Sequence, residues 1–232
     1  MTSNHGPRVT GLPHSNAKRS TEESYRIEVI RKAIHFSSLS IPLCYYYTPR
    51  TVALTVLLPL AGAFILVDLG RYSYRPVEMW FGRTFGRLLR SHESDRNRKR
   101  LNGATYVLFA AALTVLIFPK FIAVSSLFIL IISDTIAALV GKRFGKHTLF
   151  NKSWEGTIAF FLSALIVITL LPKLEYQPEE YLIGLFAAAA GAIVEALPID
   201  LDDNLTIPLA VGLVLWAGYA LFLPSVNIHT FG

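Results

Sequence analysis

The chain has 232 residues, of which 53% are hydrophobic and only 16% are charged, whereas about 25% of the residues of a soluble domain are charged. This composition argues against an ordinary soluble domain and predicts a membrane protein. The net charge of +6 would also suit a nucleic-acid-binding protein, but Lys and Arg accumulate in the cytoplasmic segments of membrane proteins as well.

The apolar residues are grouped in stretches that predict an all-α, polytopic membrane protein with about seven transmembrane helices. Residues 1–25 are polar and lack the apolar core of a signal peptide, so we expect a disordered cytoplasmic tail. Residues 26–224 are expected to form one transmembrane domain, and 225–232 a short C-terminal tail. The predicted spans are 33–47, 51–69, 104–118, 121–141, 157–171, 181–197 and 206–223. Several are shorter than the roughly 20 residues that cross a bilayer unaided.

The distribution of cations predicts the orientation of these spans. With the N-terminus in the cytoplasm, 19 of the 22 Lys and Arg residues fall in cytoplasmic segments. The other three are Arg50, Lys120 and Lys173, so the bias follows the positive-inside rule. The polar motifs of four separate segments then share the cytoplasmic face, where a site assembled from them would face the cytosol. Those segments are 31–32, 91–106, 141–156 and 198–208.

Asp134 is an ionisable residue inside an otherwise apolar stretch. Placing a charged side chain at the centre of a bilayer costs roughly 2.5–3.5 kcal/mol on insertion scales, and such residues usually have a function. Asp134, Ala138 and Gly141 share one helical face, where small neighbours leave room for a ligand. The alternative is an ion pair between Asp134 and a basic residue of a neighbouring helix.

A basic, glycine-containing loop follows this stretch directly. Several cations together can hold a polyphosphate, and glycines allow its oxygens to approach the backbone. The loop therefore predicts a nucleotide site, although ordinary cytoplasmic-loop charge is the alternative. A Walker A loop is excluded, because the two glycines are separated by three residues rather than four and no strand precedes them. The candidate nucleotide-binding residues are Gly141, Lys142, Arg143, Gly145, Lys146 and Lys152.

Acidic residues occur on the same predicted face. Carboxylates beside a polyphosphate repel it unless a divalent cation lies between them, so acidic and basic clusters together indicate a Mg²⁺–nucleotide site. A solvated turn that caps the last helix through Asn204 or Thr206 is the alternative for the DLDDN segment. The candidate metal ligands are Asp134, Glu155, Glu195, Asp202 and Asp203, with Asp200 nearby.

Basic residues also begin the first predicted span, at Arg31, Lys32 and His35. Such residues are usually anchors that reach the membrane interface, and a lone histidine is more often part of the core than a ligand. The nine cations of residues 71–100 favour binding of anionic lipid headgroups. Nucleic acid is not expected as a partner, because no segment resembles a helix that reads bases.

Five motifs in this order resemble the CTP-dependent lipid-alcohol kinases, which phosphorylate diacylglycerol, dolichol, phytol or farnesol and are related to the phosphatidate cytidylyltransferases. The motifs are RKAIH (31–35), NGATY (102–106), DTIAALVGKRFGK (134–146), KSWEG (152–156) and EAL…DDNLTIP (195–208). The resemblance implies a kinase that uses CTP and Mg²⁺. Its essential residues would be Arg31, Lys32, Asp134 and Gly141, with Asp134 holding Mg²⁺ or accepting the hydroxyl proton.

The resemblance also implies a lipid-alcohol substrate, for which the candidate binding residues are His35, Asn102 and Asn204. No segment after residue 198 carries the basic C-terminal signature of bacterial phosphatidate cytidylyltransferases, so the kinase branch is favoured. The alternatives are a CTP:phosphatidate cytidylyltransferase, or a proton-coupled transporter that uses Asp134 and Glu195 as a relay. The choice between CTP and ATP, and the identity of the alcohol, stay open.

Overall fold

A computed structural model describes residues 14–85 and 101–229, and the side chains of 22–84 and 101–229. The tail before residue 14 and the basic residues of 86–100 lie outside the described residues. The described residues form nine helices and one short β-hairpin. They are α1 (His14–Ser37), α2 (Ser40–Tyr47), α3 (Arg50–Ser73), α4 (Arg75–Phe85), α5 (Gly103–Ile117), α6 (Lys120–Phe144), β1 (Thr148–Leu149), β2 (Lys152–Ser153), α7 (Trp154–Leu170), α8 (Pro178–Ala196) and α9 (Asp203–Phe222).

All seven apolar stretches are helical, which agrees with the all-α prediction apart from the antiparallel pair β1–β2. The first stretch is divided, because α1 ends at Ser37 and α2 begins at Ser40. Helix α1 begins at His14 and so extends into the segment expected to be a tail. Among the described helices, α3, α6 and α9 are long and apolar enough to cross a membrane, while α5 and α7 are shorter apolar helices.

Helix α6 lies at the centre of the bundle. The most apolar segment of α6 is 72% buried, whereas the corresponding segments of α3 and α9 are 17% and 33% buried. Its neighbours include α1, α2, α5, α7 and α9, whereas α3 packs outside against α5 and α4. Leucine and isoleucine side chains of α6, such as Ile122 and Leu130, are fully buried. Asp134, the candidate site residue of α6, is therefore on a helix that is held by packing on several sides.

Small residues allow α7, α8 and α9 to approach one another closely. Ala187 and Ala188 of α8 are fully buried, and a Cβ added to Gly191 would lie 3.0 Å from both Phe160 of α7 and Val211 of α9. Association of helices in a membrane depends on van der Waals packing between such small residues, since lipid tails are as apolar as the side chains. The Ala-rich face of α8 thus joins the two flanking helices.

At one end of the bundle, which we call the site end, helices α5, α7 and α9 each begin with a side-chain cap. Asn102 caps α5, Ser153 caps α7 and Asp202 caps α9, in each case by accepting a hydrogen bond from a backbone N–H of the first turn. Such caps satisfy amides that have no partner within the helix. The polar motifs of the sequence therefore begin helices as well as forming a candidate site.

The opposite end of the bundle also carries buried charged residues, Lys173 and Glu180. The Glu180 carboxylate accepts hydrogen bonds from the backbone amides of Leu174 and Glu175, both 2.9 Å long, and from the Tyr219 hydroxyl at 2.7 Å. Lys173 donates to the carbonyl oxygens of helix α7 and of the loop that follows it. These contacts hold the loop between α7 and α8 against the bundle. The buried charges of Lys173 and Glu180 therefore have a structural role.

Candidate active site

A cavity of about 470 Å³ opens at the site end between α1, α3, α4, α5, α6 and α9. One part of its wall is apolar, with Phe64, Val67, Trp80, Val107 and Leu108 among its residues. The polar part of the wall brings together residues from the beginning, middle and end of the chain. They are Glu28, Arg31, Lys32, His35, Asn102, Asp134, Asp203 and Asn204.

Asp134 forms a buried ion pair with Lys32 of α1. The Lys32 Nζ atom lies 2.5 Å from Asp134 Oδ2, and His35 Nε2 lies 3.5 Å from the same oxygen. Lys32 and His35 lie three residues apart on one face of α1, so both reach the single carboxylate of α6. The RKAIH and DTIAALVG motifs, which are distant in sequence, are therefore two halves of one cluster.

A second cluster is centred on Lys152, the first residue of strand β2. Its ammonium lies 2.9 Å from Glu195 Oε1 of α8 and 2.8 Å from Asp203 Oδ2 of α9. Burial opposes the charge on Lys152, but the carboxylates of Asp203 and Glu195 outweigh burial and raise the pKa of this lysine. Thr157 donates to the other Glu195 oxygen at 3.1 Å. Lys152 also lies close enough to Asp134 for electrostatic attraction, so the two clusters adjoin.

Glu28 of α1 joins two further cations of the site end, although the sequence had not marked it as a site residue. It forms an ion pair with Arg31 and lies 3.3 Å from Lys142 Nζ of α6. Arg143, the next residue, lies over the Tyr25 ring instead, with its guanidinium 5.6 Å from the ring centroid. The carboxylate of Glu28, which lines the cavity together with Arg31, thereby keeps Arg31 and Lys142 next to each other.

The glycines of the basic loop lie where α6 and α7 are packed most closely. A Cβ on Gly141 would lie 2.9 Å from Ser153 Oγ and 3.4 Å from the Gly156 Cα atom. A Cβ on Gly145 would come 2.9 Å from both side-chain atoms of Ser153 and closer still to the Gly141 carbonyl oxygen. Contact with Ser153 and the start of α7 accounts for Gly141, and contact with Ser153 and the Gly141 carbonyl accounts for Gly145, independently of any ligand.

The two asparagines predicted to bind substrate differ in their surroundings. Asn102 caps α5, and its side-chain amide donates to Asp68 Oδ2 at 2.9 Å. Asn204 donates through Nδ2 to Asp202 Oδ1 at 2.6 Å, while its own Oδ1 is buried without a hydrogen-bond partner among the described residues. Of the two, only Asn204 has an unused polar atom of this kind.

Asp68, the partner of Asn102, is a functional candidate that the sequence analysis missed. It is fully buried at the end of α3, accepts from the Asn102 backbone amide at 2.8 Å, and lies 3.3 Å from Arg71 Nε. The guanidinium of Arg71 in turn stacks on Phe81, which lines the cavity. A carboxylate at the end of an apolar stretch, in DLGR, was the signal that could have identified it.

The remaining candidates lie in the loop after α6, in the first turn of α7 or around the start of α9. Glu155 binds His147, with 2.8 Å between its Oε1 atom and Nδ1, while Lys146 and Asp200 are exposed. Asp202 is used to cap α9. Within the described ranges, no three His, Cys, Asp or Glu side chains are grouped as in a ready-made metal site. Of the predicted metal ligands, Asp134 and Asp203 are the two that line the cavity.

The fold and the site together define a helical membrane protein with a polar site at one end of an apolar cavity. Comparison with known proteins narrows this class, although neither a protein-family model nor a solved structure matches the chain. A CTP-dependent diacylglycerol kinase of Saccharomyces cerevisiae is 31% identical over 214 residues, covering 81% of this chain and 72% of its own. The chain therefore belongs to the lipid-alcohol kinase family and is a kinase.

Two other relatives extend the comparison. An uncharacterized protein of Rickettsia prowazekii is 29% identical over 190 residues, which cover 81% of this chain and 93% of that protein. A phytol kinase of Synechocystis is 37% identical over 113 residues, or 45% of this chain and 47% of the relative. The kinase names agree with the expectation from the motifs and do not favour the cytidylyltransferase or transporter alternatives.

Proposed function

We propose that the protein transfers the γ-phosphoryl group of CTP to the hydroxyl of a membrane lipid alcohol, such as diacylglycerol or a polyprenol. The observation that carries this proposal is the position of Asp134, which lines a largely apolar cavity and contacts Lys32. A carboxylate and several cations at the polar end of a greasy cavity suit a substrate with one hydroxyl and a long hydrocarbon chain.

The lipid would lie with its chain along the apolar wall of the cavity. Phe64 and Val67 of α3, Trp80 of α4 and Val107 of α5 supply this wall. The hydroxyl would then reach the polar wall next to Asp134 without the hydrocarbon chain leaving the apolar surroundings. Tails of different structure fit such a wall equally well, so the hydroxyl is the feature that the site selects.

The triphosphate would bind to the cations of the site end. Arg31, Lys32, Lys142 and Lys152 each contact a carboxylate, and phosphate oxygens are suited to take over these contacts. Cytidine as the base is proposed from the diacylglycerol kinase relatives, which are named as CTP-dependent. Positioning and charge neutralisation are the main requirements of phosphoryl transfer.

In the proposed reaction, the lipid oxygen forms a bond to the γ-phosphorus while the bond from that phosphorus to the bridging oxygen breaks. The products are a lipid phosphate and CDP, and the hydroxyl proton passes to the carboxylate of Asp134. The carboxylates of the cavity wall offer the hard oxygen ligands that Mg²⁺ requires, and Asp203 would hold the ion together with the phosphates. Bound Mg²⁺ would neutralise charge on the phosphate oxygens.

The proposed topology places this site on the cytoplasmic face. Seven spans with a cytoplasmic N-terminus place the cations of the sequence on the side that the positive-inside rule requires. Residues 26–224 would then form a single catalytic domain, and the basic residues of 71–100 would bind anionic headgroups beside it. CTP would enter from the cytosol and the lipid alcohol from the bilayer.

The transfer is tested with purified protein in lipid–detergent micelles, by supplying CTP labelled at either the γ- or the α-phosphorus with diacylglycerol, a polyprenol or phytol. We expect γ-label, and no α-label, to appear in the lipid. In a parallel reaction that supplies phosphatidate instead of the alcohol, incorporation of α-label into the lipid with release of pyrophosphate would instead indicate a cytidylyltransferase. Equal transfer from γ-labelled ATP would contradict CTP specificity while leaving the kinase reaction intact.

A further inference from the structure

Asn204 lies at the polar wall of the cavity with one acceptor unused. The residue is 8% exposed, and its Oδ1 atom is buried with no hydrogen-bond partner among the described residues. Leaving a buried acceptor without a partner costs about 1–3 kcal/mol. Such an atom is therefore expected to contact something when the site is occupied.

The orientation of this amide is determined by Asp202. The Asp202 Oδ1 atom accepts hydrogen bonds from the Asn204 Nδ2 atom at 2.6 Å and from the Asn204 backbone N–H at 3.0 Å. A rotation of the amide by 180° would place its carbonyl oxygen against this carboxylate, which has no proton to offer. The carbonyl side of Asn204 is thus kept away from Asp202, and Asn204 lines the cavity.

The surroundings of Asn204 carry an excess of negative charge. Two lysines, Lys32 and Lys152, contact three carboxylates there, those of Asp134, Glu195 and Asp203. Asp134 and Asp203, which both line the cavity with Asn204, also repel each other electrostatically. A polyphosphate would add further negative charge, so its binding at this wall needs a cation that lies between phosphate and carboxylate.

We propose that the Asn204 carbonyl oxygen and the Asp203 carboxylate together bind the divalent cation that carries the nucleotide phosphates. Mg²⁺ takes oxygen ligands and is usually held by one or two carboxylates in addition to waters and phosphates, a set that an amide carbonyl completes. Asp134 is left to act on the lipid hydroxyl. This inference rests on the proposed function. The sequence left two roles together on Asp134, holding the metal ion and accepting the hydroxyl proton, and the inference assigns the metal ion to Asp203 and Asn204.

The test uses Mn²⁺ as the probe and needs no turnover. Electron paramagnetic resonance measures free Mn²⁺ as it is titrated into purified protein with CDP present and lipid alcohol absent. We expect Asn204→Ala to weaken Mn²⁺ binding at least tenfold, the scale on which even outer contacts affect metal sites. Asn204→Asp keeps an oxygen donor and should bind Mn²⁺ at least as tightly as the wild type. Asn151→Ala, in the exposed turn of the hairpin, is the matched control and should bind Mn²⁺ normally.

Each other outcome overturns the inference. If Asn204→Ala binds Mn²⁺ normally but its KM for the lipid alcohol rises, the carbonyl accepts the lipid hydroxyl instead. If Asp203→Asn binds Mn²⁺ normally, the cation lies elsewhere. If wild-type protein with CDP binds no Mn²⁺, no cation site of this kind exists. Phosphoryl transfer from γ-labelled CTP is measured separately, so failure of the cation site and failure of the proposed function are distinguishable.

Discussion

The ammonium of Lys32 lies 2.5 Å from the Oδ2 oxygen of Asp134 and joins α1 to α6 across 102 residues of sequence. Both residues are at least nine-tenths buried. A buried ion pair contributes little net stability when compared with an apolar pair, but either partner left alone becomes an uncompensated charge. The pair is therefore both a structural link between two helices and the centre of the candidate site.

The first prediction concerns the stability of this pair. Lys32→Ala should lower the free energy of unfolding by about 3–5 kcal/mol, because it removes the cation nearest to the buried Asp134 carboxylate and leaves only more distant groups, such as His35 at 3.5 Å, near it. Lys32→Met combined with Asp134→Leu should recover most of that loss while remaining inactive. Reversible unfolding in mixed micelles measures both effects, with the exposed Lys146→Ala as control. Equal destabilisation by the single and the double substitution would contradict the coupling.

The second prediction concerns the cations that would bind phosphate. Lys142→Ala and Lys152→Ala should each raise the KM for nucleotide about ten- to a hundredfold, the effect of losing a charge-assisted hydrogen bond of about 1.5–3 kcal/mol. The KM for lipid should change little. Lys146→Ala serves as the matched control, because its exposed side chain lies on the same loop. If all three variants keep normal nucleotide kinetics, the positive charges of the loop only set the orientation of the protein in the membrane.

The third prediction separates close packing from ligand binding at Gly141. Its new Cβ would collide with Ser153 Oγ, so Gly141→Ala should destabilise the protein by about 1–3 kcal/mol. Ser153→Ala removes that oxygen. The double variant should therefore lose less stability than the two single variants lose when their losses are added. Gly62→Ala is the control, since no atom lies within 4 Å of its added Cβ. Strict additivity in thermal unfolding would show that the contact does not limit packing.

The fourth prediction concerns topology. In a Cys44→Ala background, a cysteine at Asn151 should react with a membrane-impermeant maleimide only from the cytoplasmic side, and one at Glu179 only from the other side. Both positions are exposed, so labelling should not require unfolding. The expectation follows from the cation bias across the predicted loops. Labelling of both cysteines from one side would contradict the seven-span arrangement.

Much of the fold could be predicted, because apolar stretches in a membrane protein become helices when backbone groups must be satisfied internally. The break between α1 and α2 was not predicted, since serines are the only polar residues that mark it. Of the two interpretations of Asp134 that the sequence left open, the structure shows the ion pair with a neighbouring basic residue, while the functional role of this cavity residue stays a prediction. Spacing alone does not reveal which helix supplies a partner 102 residues away.

The candidate site was predicted less completely. Asp68 escaped notice because its importance depends on Asn102, a partner 34 residues later that only tertiary packing brings into contact. Gly141 and Gly145 were interpreted as room for phosphate, whereas the approach of Ser153 supplies a packing reason that sequence cannot show. Local patterns predict helices and charges, but the pairing of charges depends on which helices are neighbours.

The most direct test of the central claim is the turnover number of Asp134→Asn with γ-labelled CTP and lipid alcohol, both at saturating concentrations. The substitution keeps the size of the side chain and removes the carboxylate that would take the hydroxyl proton. We predict that turnover falls by at least about two orders of magnitude, as for loss of a general base, while CDP still binds and the protein remains folded. Turnover close to that of the wild type in a folded variant would contradict the claim that Asp134 carries out the transfer.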